Sequence, residues 1–104
     1  LMRSSTLKGL ALHTAEEAGD APGPDYRFGW GLLNTERAAR VIANTDRSHV
    51  LDERTLAPGQ TYTLQLVASG RGPLTATICW TDPAAASSGN RYNDRTPKLV
   101  NDLD

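Results

Sequence analysis

A single cysteine, Cys79, stands in the 104 residues, which excludes an internal disulfide framework and any cysteine-based zinc site. No apolar run approaches the ~18–20 residues needed to span a bilayer, so no membrane partner is expected. Basic residues are not in excess: 11 Lys and Arg stand against 12 Asp and Glu, for a net charge of −1 and a pI near 6.1. A nucleic-acid module carries a Lys/Arg surplus to neutralise phosphates, and a polybasic membrane-surface segment needs the same surplus, so neither is expected. With 38% hydrophobic and 22% charged residues, the composition is that of an ordinary soluble globular chain of one-domain length. The chain opens on Leu1 without a signal-peptide pattern and stops at Asp104 inside a strand-like run, residues 99–104. It is therefore expected to be an excised piece of a longer protein.

Residues 1–47 read as helical. Ser4 and Ser5 offer capping hydroxyls, and Leu7, Leu10, Ala11 and Thr14 recur at i, i+3, i+4 and i+7, an apolar stripe about 100° wide. Gly9 inside that helix costs about 1 kcal/mol relative to alanine, which points to close packing against a neighbour. Gly19 predicts a helix end near Glu17. Residues 20–31 are too rich in glycine and proline for regular structure, yet they carry Tyr26, Phe28 and Trp30, so the loop is expected to pack down. A second helix follows, with Asn34 as its cap, Glu36 in its first turn, and Ala38, Val41 and Ile42 as its buried face.

Residues 48–104 read as β. Tyr62, Leu64, Leu66 and Ala68 alternate onto one face of residues 61–68; Ala76, Ile78 and Trp80 do the same in residues 74–81, with Thr75, Thr77, Cys79 and Thr81 opposite. The connection at residues 69–73 suits a hairpin. Two or three strands cannot close a sandwich, so their apolar face must meet something beyond this chain or a second copy of it.

Chemistry-bearing residues are sparse. His13 and His49 are the two histidines. A triad base needs a serine within hydrogen-bond reach and an orienting acid, and Ser4 and Ser5 lack the flanking glycines of a nucleophile turn. No catalytic residue is therefore assigned, and the isolated chain is expected to be inactive. Gly29-Trp30-Gly31 resembles the start of a dinucleotide fingerprint, but Asn34 replaces the third glycine and no strand precedes it, so no cofactor-binding residue is assigned either. Asp102 and Asp104 share a face of the last strand, Asp82 ends another, and Asn90, Asn93 and Asp94 lie between. Such oxygens either ligate Ca²⁺ or form a solvated acidic edge that discourages strand-to-strand aggregation.

Two stretches carry a family resemblance. Thr6-Leu7-Lys8-Gly9-Leu10-Ala11-Leu12-His13-Thr14-Ala15, then Gly23-Pro24-Asp25-Tyr26-Arg27-Phe28-Gly29-Trp30-Gly31-Leu32-Leu33-Asn34, with Ala38-Ala39 after them, resembles the C-terminal end of a subtilisin-like serine protease domain. In that family a helix ends in a Thr-Ala pair, and a loop closing on Gly-aromatic-Gly leads to a final helix capped by asparagine. Ala76-Thr77-Ile78-Cys79-Trp80-Thr81-Asp82-Pro83 and Leu99-Val100-Asn101-Asp102-Leu103-Asp104 resemble the jelly-roll β-sandwich appended to some subtilases.

The resemblance implies an α+β fragment. Residues 1–47 would be the helical C-terminal end of a subtilase α/β domain, and residues 48–104 the antiparallel opening strands of an incomplete jelly-roll β-sandwich. The parent would be a secreted (extracellular or periplasmic) serine endopeptidase acting on protein or peptide substrates, with its whole Asp/His/Ser triad upstream of Leu1. The segment's own partner would be the rest of that chain, and alone it would self-associate. Calcium is implied at Asp82, Asp102 and Asp104, with the stretch from Ser87 to Lys98 departing from the family pattern. The alternative from another class is a noncatalytic binding or scaffold module with a subtilase-derived fold.

Overall fold

The computed structural model describes residues 1–87, 89 and 91–103. Among these residues the regular structure is two helices, α1 (Ser4–His13) and α2 (Thr35–Ala43). Leu10 and Val41, one from each helix, are buried at 4% and 8% exposure, and Thr14 beside them is the most enclosed side chain at 1%. Thr14 tolerates burial because its hydroxyl donates to the Leu10 carbonyl at 2.8 Å, so no polar atom is stranded.

Helix α1 starts without a serine cap. Arg3 occupies the cap position in extended conformation, and Ser4 and Ser5 lie in the first turn. Glu53, fifty residues away, serves that end instead. Its Oε1 accepts the Arg3 backbone N–H at 2.8 Å and the Thr6 hydroxyl. An anion beside a helix N-terminus is favoured by the free N–H groups and the macrodipole. These bonds, the Thr6 hydroxyl foremost, hold the Glu53 carboxyl below the usual glutamate value. Arg3 ties the same segment down by donating from its guanidinium to the Arg54 carbonyl at 2.8 Å.

The helix ends at His13, short of Glu17, because the next backbone groups are taken. Glu16 forms an isolated antiparallel pair with Leu32, exchanging N–H···O bonds of 2.8 Å in both directions. Gly31 makes that pairing possible: its φ of +98° is a region L side chains avoid, and a β-carbon there would overlap the Glu16 carbonyl oxygen. Asn34 then works at both ends of its amide. Its Oδ1 accepts the Arg37 N–H at 2.8 Å, capping α2, while its Nδ2 donates to the Glu16 carboxylate. The end of α1 and the start of α2 are thus tied through one residue pair.

The loop between the helices folds on itself, not onto the core. Asp25 and Gly29 pair through two 2.9 Å backbone bonds, and the Asp25 carboxylate accepts from the Arg27 and Phe28 N–H groups. Tyr26 (112% exposed), Phe28 and Trp30 (60%) face outward, contrary to the expected packed-down loop. Ile42 is likewise exposed, so the buried side of α2 narrows to Val41 with Ala38 half-covered.

The expected α+β architecture is not formed. Among the described residues there is no β-strand, so the antiparallel strands of a jelly-roll β-sandwich assigned to residues 48–104 are corrected to irregular, extended chain. Alternation supplies a face, but a strand also needs a neighbour's N–H and C=O groups, and a lone hairpin is marginal in water. Tyr62, Leu64 and Leu66 stay half-exposed, and Ile78 is more open still.

What the second half does instead is lie along α1. A β-carbon on Gly9 would sit 3.1 Å from Cys79 Cβ, and His13 Nδ1 lies 2.9 Å from Thr77 Oγ1. Two residues of extended chain advance about 6.6 Å and four residues of helix about 6 Å, so the spacings 77–79 and 9–13 match. The chain runs antiparallel to the helix and presents its Thr77/Cys79 side, not the Ala76/Ile78/Trp80 side. Gly9 is small where that segment crosses.

The molecule remains open. Its accessible surface is 9496 Å² and its radius of gyration 16.5 Å. A folded monomer of this mass exposes about 5,700 Å², and one of this length has a radius near 13 Å.

Candidate functional site

Between the C-terminal end of α1 and one face of α2 lies a depression of about 220 Å³, lined by His13, Thr14, Arg37, Arg40, Val41 and His49. Each lining residue has a local reason for its place. His13 is the last residue of α1, and its ring is held by the Thr77 hydroxyl. Arg37 and Arg40 stand three apart on α2 and so share a face. Arg40 also pairs with Glu36 at 2.6 Å one turn back.

His49 is positioned by a self-bonded turn. Asn44 ends α2 in the left-handed conformation, and its side-chain amide makes a reciprocal pair with the His49 backbone, Nδ2 to the carbonyl at 2.9 Å and N–H to Oδ1 at 3.1 Å. Within the turn the Ser48 hydroxyl donates to Asp46 at 2.8 Å, and this bond holds the Asp46 carboxyl below its usual value. The two histidines, 36 positions apart in sequence, meet at one surface because α2 folds back beside α1. Arg37 and Arg40 were missed in the sequence, although their i, i+3 spacing on α2 is the local signal for this surface. The histidines gave none, since their meeting depends on the turn after α2.

His13 and Thr77 form an imidazole–hydroxyl pair, the first two parts of a nucleophile–base arrangement. Among the described residues no carboxylate hydrogen-bonds that ring, so the orienting acid of a triad is not supplied. Ser4 and Ser5, at the opposite end of α1, do not approach it.

Of the acidic residues expected as calcium ligands at the other end of the chain, Asp82 is the one with hydrogen-bond partners among the described residues. Asp82 Oδ2 accepts the Val100 N–H at 2.7 Å, and Oδ1 accepts the Asn101 N–H at 3.0 Å and its side-chain amide at 2.8 Å. These donors, the Val100 N–H first, lower the Asp82 pKa. The Trp80 indole N–H donates to the Asn101 carbonyl at 3.2 Å, closing the same clamp. Asp102 is exposed, and Asp104 lies outside the described residues, as does Asn90. Among the described residues no three His, Cys, Asp or Glu side chains converge as metal ligands. The three N–H donors hold the Asp82 carboxylate in its charged form and against residues 100–101. Asp94 is similarly occupied, by the Thr96 hydroxyl and N–H and by Lys98.

No family model, curated protein or solved structure matches the chain. The subtilase resemblance therefore rests on the residues that carry it.

Proposed function

We propose that this chain is a structural, non-catalytic segment of a secreted subtilisin-like serine endopeptidase. The observation that carries the reading is the tie between Glu16 and the 32–34 stretch. The residues of the first stretch of resemblance form one connected unit, in which Thr14 is buried at the end of α1, Gly31 permits the Glu16–Leu32 pair, and Asn34 both caps α2 and reaches back to Glu16. That order of helix, Thr-Ala, Gly-aromatic-Gly and capped helix is what the resemblance implies. The open surface adds support, since a chain exposing far more area than a folded monomer of its mass has faces left for the remainder of a parent protein to cover.

The unit's role in the parent is mechanical. It would buttress the domain that carries the nucleophile, and the proteolytic serine, histidine and aspartate would lie upstream of Leu1. The test is to express the full-length protein and treat it with a fluorophosphonate that labels activated serines. Labelling at a serine upstream of Leu1, with none inside residues 1–104, is the expected result. A full-length chain that takes no label, or takes it within residues 1–104, refutes the proposal.

A further inference from the structure

The depression between the helices has a chemical character that the proteolytic reading does not use. Four of its six lining residues are nitrogen bases or cations, His13, Arg37, Arg40 and His49, and none is a carboxylate. We propose that it binds a small multivalent oxyanion, of which inorganic phosphate is the simplest example.

Arginine presents N–H donors in a planar fork that matches the edge of a tetrahedral oxyanion. Arg37 and Arg40 offer two such forks from one helix face. Arg40 gives one bond to Glu36 and has four further N–H groups, since a guanidinium carries five. Glu36 offsets one of the two arginine charges and leaves the pair net positive, while the Asp46 carboxylate on the His49 side is occupied by the Ser48 hydroxyl and N–H. The histidines complete the rim. Nδ1 of His13 is engaged by the Thr77 hydroxyl, so Nε2 is the ring nitrogen left to meet an anion. His49 is fixed through its backbone by Asn44, which leaves its ring to act without the turn reorganising. Val41 forms an apolar wall, and the Thr14 hydroxyl is already spent on Leu10, so neither competes for the anion. A floor without competing acceptors, ringed by four donors, suits a ligand with several acceptor oxygens better than a single carboxylate.

The experiment is equilibrium binding of radiolabelled inorganic phosphate to the full-length protein, with ionic strength held constant by sodium chloride. Sulfate and acetate serve as competitors. Expected is saturable one-to-one binding in the low-millimolar range. Sulfate should compete within a few-fold of phosphate, and acetate at least about tenfold less well. Arg37→Gln/Arg40→Gln should weaken binding by about tenfold or more with an unchanged circular dichroism spectrum, while Arg71→Gln, an exposed arginine outside the lining, leaves it unaltered. Because the arginines are exposed, the double variant is expected to fold; His49→Ala provides a second, milder loss of about two- to threefold. Non-saturating uptake to 50 mM, equal binding by wild type and the double variant, or acetate competing as well as sulfate would each overturn the proposal. The fluorophosphonate result is independent of all of these.

Discussion

Asn34 is the residue whose removal tests the helical unit most sharply, because its two amide ends do separable work. Its Oδ1 accepts the Arg37 N–H at 2.8 Å, and its Nδ2 donates to Glu16. Truncation to alanine strands a helix N-terminal donor, a loss of about 1 kcal/mol. It also removes an exposed bond to a carboxylate, for which about 0.5–1 kcal/mol is reasonable. Asn34→Ala should therefore destabilise by about 1.5–2 kcal/mol, and Asn34→Ser, which keeps an oxygen acceptor and loses the donor, by about 0.5–1 kcal/mol. Asn34→Asp keeps the cap but sets a second carboxylate against Glu16, so it should cost more than Asn34→Ser. Urea unfolding of the full-length protein supplies the numbers, and a double-mutant cycle with Glu16→Ala isolates the cross-tie. If Asn34→Ala changes stability by less than about 0.3 kcal/mol, or if the cycle shows no coupling to Glu16, the tie between α1 and α2 does not exist as described.

Acid should loosen the contact between α1 and residues 53–55. Glu53, Glu17 and Asp82 each hold pKa values below their ordinary 4.5, 4.5 and 3.8, so the folded chain takes up protons less readily than the unfolded one. Their contribution is complete above those ordinary values and is lost as pH falls through the lowered ones; protection of the Arg3 amide, corrected for the intrinsic exchange rate, should fall as pH drops below 4.5 in wild type and be pH-insensitive in Glu53→Gln. Asp82→Ala should free the 100–101 backbone, seen as faster amide exchange at Val100 and Asn101. Calcium held by Asp82, Asp102 and Asp104 would show as a saturable rise in the melting temperature of the full-length protein, and an unmoved melting temperature across a saturating range would count against it. The isolated chain should sediment as oligomers at micromolar concentration, given its exposed Leu32, Leu33, Val67 and Ile78; a monomer with a cooperative melt would contradict that.

The helices were legible because their signals are local. The stripe of Leu10 and Thr14, the Asn34 cap and Glu36 lie within a few residues of the elements they specify, and Gly9 announced a close neighbour without saying which. The end of α1 was misplaced because Glu16 is diverted by a partner sixteen residues on, which no periodicity reveals. Alternation in residues 61–68 and 74–81 marked extended chain, but pairing is a non-local property and was not achieved. The polar side bearing Thr77 and Cys79 turned out to be the one that meets α1, since a glycine and a histidine, not an apolar stripe, line that side of the helix. At the acidic end, spacing located the carboxylates but not the N–H groups of Val100 and Asn101 that Asp82 accepts, because those bonds depend on a chain return eighteen residues on. His13 and His49 looked inert singly and acquire meaning only beside Arg37 and Arg40.

The packing of the second half against α1 is the claim on which the hold on the His13 ring, the capping of α1 and the role of Gly9 depend, and a crosslink tests it directly. A Gly9→Cys substitution places a β-carbon 3.1 Å from that of Cys79, within a few tenths of an ångström of disulfide range. Mild oxidation of the full-length variant should give an intramolecular bond between positions 9 and 79, identified by mass spectrometry of the joined peptides. Free thiols throughout, or disulfides formed only between molecules, would show that residues 77–79 do not lie on α1.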